Sequence, residues 1–151
     1  MIGRYSKFKL HFMESGQSLV ETALGSIVLI ILVMGLIDLG RIYYLYIALE
    51  DSAGEAAIYL SINPECPRAS SGSECEGTNN AEWRAIHASG GDIDWSNVQY
   101  SYEIPDGPNA GTDVFVTLQY DFKLVTPIIS RIAEATHLKL TASASQKIVF
   151  E

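Results

Sequence analysis

From Leu19 to Leu39 the chain carries an apolar run whose inner stretch, Leu24 to Ile37, holds no charge. At about 1.5 Å per residue this run spans about 31 Å as a helix, matching the roughly 30 Å hydrocarbon core of a bilayer, so it can cross a membrane once. Past it the pattern becomes amphipathic: Ile42, Leu45, Leu49, Ala53, Ala56 and Leu60 recur at spacings of three and four, with Glu50, Asp51 and Glu55 on the other side. The first proline after the run is Pro64. The pattern therefore predicts one helix from Ser18 to about Ser61, with Gly25, Gly35 and Gly40 as its bend points and its stripe packed on a soluble head.

Asn63 to Asn80 is rich in Pro, Ser, Gly and Glu, the composition of a surface loop. Asn79 with Glu82 three residues on predicts a capping box and a short helix through about Ser89, stopped by Gly90 and Gly91, with Trp83 and Ile86 facing inward. Val98 to Ile104, Val114 to Phe122 and Leu138 to Phe150 alternate as strands do, with Pro105 to Pro108 and Asn109 to Gly111 making the first connection. A short helix is expected over Pro127 to Ala135. The result is an α+β fold: a long N-terminal helix continuing into a three- to four-stranded antiparallel sheet, one face of which the helix covers.

Charge sets the orientation. Arg4, Lys7 and Lys9 against Glu14 leave residues 1–16 at +2, and the formal −8 of the chain then puts −10 on residues 17–151. A basic flank beside a single span places the N-terminus in the cytoplasm and the head outside. An acidic exterior without clustered Lys and Arg excludes nucleic acid as a partner. A cleaved secretory signal would end at a small-residue site, whereas this run closes on Asp38-Leu39-Gly40-Arg41. Tyr43, Tyr44 and Tyr46 then fall at the outer interface, where amphipathic rings settle.

Catalytic chemistry finds little support. His11, His87 and His137 are scattered, and no serine or cysteine nucleophile is paired with them, so neither an enzyme nor a small-molecule substrate or cofactor is expected. Asp92, Asp94, Ser96 and Glu103 imitate calcium-loop spacing, but Asn97 stands where the turn glycine belongs and Glu103 lies in a strand, which favours a solvated turn. Cys66 and Cys75 lack the short spacing of zinc ligands. In an extracytoplasmic head they form a disulfide worth about 2.5 to 3 kcal/mol in the chain-entropy model.

Glu21, at the lip of the apolar run, has no basic neighbour in sequence. A carboxylate there is costly without a partner. Cleavage between Gly16 and Gln17 would supply one, because the new α-amino group, with an ordinary pKa of about 7.7 to 8.0, would lie one helical turn away in the same chain or meet Glu21 of a neighbour.

Gly16 and Glu21 ahead of an apolar helix resemble the processing step of type IV prepilins and pseudopilins. The stretch Gly35 to Tyr44 with Ala48 to Ala57, and the ending from Asp113 through Pro127 to Phe150, is similar to the TadE-type minor pilins of tight-adherence (Tad/Flp) systems. Thr22 departs from the tyrosine that follows the glutamate in the major Flp pilins. The resemblance implies a pilin-like head, a leader of residues 1–16 removed by prepilin peptidase, a membrane helix over 17–41 and an extracytoplasmic domain over 42–151. Within that domain it implies a helix extension over 42–61, a disulfide loop over 63–80 and a sheet over 98–151. It also implies a role in initiating or supporting pilus assembly for adherence, with other pilins and assembly components as partners. Asp38 and Arg41, three apart on one helix face, either pair locally or bridge neighbouring helices in an assembly. Two other readings stand beside this one: a signal-anchored binding or sensor module, and, more weakly, an extracytoplasmic hydrolase.

Overall fold

The computed structural model describes residues 11–91, 93–124 and 137–149, with the backbone alone for 11–15. The chain divides into two compact units, 1–37 and 38–151. One helix, α1 (His11–Ile62), contributes to both. The second unit adds α2 (Ala81–Ala88) and three strands, β1 (Val98–Glu103), β2 (Asp113–Lys123) and β3 (His137–Lys147). Strand order is β1-β2-β3, antiparallel throughout, with Val98 opposite Tyr120 and Asp113 opposite Lys147. The α+β class and the long helix with a three-stranded antiparallel sheet are those expected from the pattern. Proline 127 to alanine 135, where a helix was expected, lies outside the described residues, as do Phe150 and the basic residues Arg4, Lys7 and Lys9.

In the second unit the helix stripe is buried as its spacing requires. Leu49, Ala53, Ala56, Ala57 and Leu60 are fully buried in one cluster with Val114, Val116, Leu118 and Phe122 of β2 and Leu140 and Ala142 of β3. Ile42 and Leu45 pack at its margin. The alternation along β2 does the same for the sheet, turning Val114, Val116 and Leu118 inward while Thr117 bonds Ser143 across the outer face at 3.0 Å. The segment after β3 returns to the end of α1, where the Val149 amide donates to the Ser61 carbonyl at 2.9 Å. That bond satisfies one of the carbonyls a helix end leaves open.

Ser52 lies on this buried face although the stripe does not include it. Its hydroxyl is buried with no hydrogen-bond partner among the described residues. An unsatisfied buried hydroxyl costs about 1 to 3 kcal/mol, so Ser52→Ala should raise the unfolding free energy by about 1 kcal/mol. Urea unfolding of the two chains compares them directly.

The short helix begins one residue later than the capping box predicted. Asn80, not Asn79, is its cap: the Asn80 side chain accepts from the Trp83 amide at 2.8 Å and donates to the carbonyls of Cys75 and Gly77. The inward face rotates with it. Ala81 and Ala85 are the buried residues, while Trp83 and Ile86 are half-buried and Trp83 stacks on His87 with ring centroids 3.6 Å apart. Small side chains are what allow so short a helix to sit close to the core.

Candidate functional site

In the first unit, Gly16, Gln17 and Glu21 are exposed on α1. Gln17 and Glu21 are neighbours at one helical turn, and the Gln17 side-chain amide donates to a Glu21 carboxylate oxygen at 3.2 Å. The backbone nitrogen of residue 17 is therefore on the turn that precedes the carboxylate. Thr22 and Ser26 turn their hydroxyls back onto the carbonyls of Ser18 and Ala23. Their donors are satisfied inside the helix, as a hydrocarbon surrounding demands. Leu19, Leu24, Leu29, Leu32 and Leu36 are all exposed. The helix holds an apolar window of mean hydropathy 2.4, none of it buried, and is long and apolar enough to cross a membrane.

Asp38 opens the second unit and is only 3% exposed. Arg41, about half exposed, reaches back to it at 3.8 Å. The same guanidinium lies over the ring of Phe122, 5.3 Å from its centroid. Within this chain the arginine is held by a carboxylate on its own helix and an aromatic face from β2. Phe122 escaped the sequence reading. Its strand position marks it as core, but nothing in the pattern of β2 says which cation it will meet.

The loop after α1 is closed by a disulfide between Cys66 and Cys75, whose Cα atoms are 5.1 Å apart. It carries the start of α2: the Cys66 carbonyl accepts from the Ala81 amide at 3.0 Å and the Pro67 carbonyl from the Glu82 amide at 3.2 Å. Arg68 then fixes the loop to β1, donating to the Tyr100 carbonyl at 2.7 Å, lying over the Tyr100 ring and pairing with Glu82 at 3.9 Å. Burial pushes the Tyr100 hydroxyl well above the ordinary tyrosine pKa.

Of the residues with calcium-loop spacing, Asp92 lies outside the described residues. Asp94 spends its carboxylate on its own turn: one oxygen accepts from the Ser96 amide and hydroxyl, the other from the Asn97 side chain. Among the described residues no group of three His, Cys, Asp or Glu side chains is placed to hold a metal ion. The hydrogen bonds from Ser96 hold the Asp94 carboxyl below the usual aspartate pKa. A depressed folded-state pKa stabilises the turn above the unfolded value and loses that contribution as pH falls through the folded one. An NMR titration of the Ser96 amide should therefore show a midpoint below the ordinary aspartate value of about 3.9.

Comparison with known proteins finds no curated protein and no solved structure that matches. Residues 16–57, which carry Gly16, Glu21, Asp38 and Arg41, match the model of the TadE family, described as TadE-like protein, and over that segment the chain resembles that family.

Proposed function

We propose that this protein is a minor pilin of a Tad-type pilus, anchored once in the cytoplasmic membrane with its N-terminus inside and its head outside. Prepilin peptidase cuts between Gly16 and Gln17. The freed amine neutralises Glu21, and α1 then packs with the helices of other pilins to initiate or support assembly of an adhesive filament. The role is structural, with no catalytic step.

One observation carries this reading: a carboxylate five residues after a glycine and one turn after Gln17, at the head of an exposed apolar helix, inside the segment that matches the TadE family. Gly16 supports it as well. A Cβ there would meet nothing within 4 Å, as at Gly25, Gly40 and Gly54 of the same helix, so packing within the chain gives no reason for glycine at that position. A glycine inside a helix costs about 0.5 to 1 kcal/mol relative to alanine, and recognition by a peptidase supplies a reason to keep it. Asp38 and Arg41 support the head's seating on α1 through Phe122, since a carboxylate so deeply buried in its own unit is poorly placed to reach another helix.

The test is intact mass and N-terminal sequencing of the full chain expressed with and without prepilin peptidase. The mature protein should begin at Gln17 only when the peptidase is present. A chain cut elsewhere, or left uncut beside an active peptidase, contradicts the proposal.

A further inference from the structure

A groove of about 250 Å³ runs along the second unit between α1 and the C-terminal end of α2, lined by Tyr44, Ile47, Ala48 and Asp51 on one side and Ala88, Ser89 and Gly90 on the other. We infer that this groove receives a basic side chain, Lys or Arg, from a helix of a different protein that assembles beside this one. The inference deepens the assembly reading above by assigning a partner chemistry to a surface that neither Glu21 nor the apolar run includes.

Three features make the groove a receptor for a cation. Asp51 is exposed at its wall and carries no hydrogen bond or ion pair among the described residues. Tyr44, 56% exposed, offers an aromatic ring, and Ile47, 39% exposed, gives aliphatic cover for the stem of a long side chain. The far wall is the C-terminal end of a helix, whose dipole favours positive charge although the Ile86 and His87 carbonyls already accept from Ser89 and Gly90. Carboxylate, ring and helix end thus line one groove.

Charge decides who supplies it. Between Arg41 and Ile62 the helix has Glu50, Asp51 and Glu55 and no Lys or Arg. Two copies of this chain stacked on this face would set the same three acids against each other. Arg41, Arg68 and Arg84, moreover, are each already engaged with rings or carboxylates of their own unit, and Lys123 and Lys139 belong to strands, not to a helix that could stack here. A partner of opposite charge avoids that repulsion. A lipid ammonium group is less suited, because Asp51 stands twelve residues past Leu39, about 18 Å along the helix, whereas the headgroup layer extends only about 5 to 8 Å beyond the hydrocarbon.

The full-length protein tests this in its own membranes, with the photo-crosslinker p-benzoylphenylalanine in place of Ile47 and, separately, in place of Leu29. The Ile47 position should yield an adduct with a peptide that contains Lys or Arg and belongs to a different chain. Asp51→Asn should lower that yield about fivefold, as expected for loss of one partly shielded ion pair. Asp51→Glu should retain the yield, and Glu55→Gln should leave it unchanged. An adduct with this chain's own sequence or with lipid overturns the inference, as does no adduct or a yield indifferent to Asp51→Asn. The Leu29 adducts report the assembly reading by themselves: if they form and the Ile47 adduct does not, only the groove assignment fails, and the converse leaves the groove standing without the pilin reading.

Discussion

Phe122→Ala should destabilise the head by about 3 to 5 kcal/mol, the range for truncating a fully buried aromatic ring. Among the described residues Phe122 is the bulkiest of the fully buried side chains and 1% exposed. It sits in the cluster that joins β2 to α1, with the Arg41 guanidinium over its ring, so its removal leaves a cavity in the core that the two elements share. The loss has a second component, since Arg41 would keep Asp38 but lose the ring beneath it. Phe122→Leu separates the two: it keeps most of the volume, forfeits the aromatic face and should cost less than about 1.5 kcal/mol. Trp83 and Trp95 both lie in the second unit, so their fluorescence during urea unfolding of the full chain reports on the head alone. A small domain has only about 5 to 15 kcal/mol to lose, and the alanine variant should unfold at markedly lower urea. A cost near 1 kcal/mol for alanine would mean that α1 and β2 do not share this core.

Replacing Cys66 and Cys75 together with serine should cost about 2.5 to 3 kcal/mol from the entropy of the reopened loop. A further loss should come from α2, whose first amides donate to Cys66 and Pro67 and whose cap, Asn80, holds the Cys75 carbonyl. A freed loop no longer presents those acceptors in register, and an unsatisfied helix start frays. Hydrogen exchange should therefore speed up first at Ala81, Glu82 and Trp83, ahead of the amides of β2. Reductant should lower the wild-type melting temperature toward that of the double variant and leave the variant unchanged. Uniform acceleration across β2 and α2 would instead make the disulfide a support of the whole head.

The parts that could be read from sequence were those with a repeating local cause. The helix stripe from Ile42 to Leu60 and the alternation along β2 each repeat a period, and a period survives an error of one residue. The single-residue features did not survive it. Asn79 and Asn80 are equally good caps on paper, and only the Cys75 and Gly77 carbonyls, set in place by the disulfide loop, select the second. That choice turned Ala81 and Ala85 inward in place of Trp83 and Ile86. The one-turn spacing of residues 17 and 21 was legible, whereas the bond from the Gln17 side chain to Glu21 was not, since the spacing concerned only the backbone nitrogen. The seat of Arg41 on Phe122 was not, since that contact joins residues far apart in the chain. The same holds for the Asp51 groove, whose second wall comes from α2. The buried hydroxyl of Ser52 has no sequence signature, because serine fits a helix face of either polarity.

The proposed role requires α1 to be a contact helix between pilins, made so by Glu21. Single cysteines placed along Ala23 to Ile37 and crosslinked in living cells measure this most directly. The account predicts adducts with other pilin chains that recur every three to four positions, as one helix face would give, and that disappear with Glu21→Val. Adducts that form equally well with valine at position 21, or no pilin adducts at any position, would contradict it.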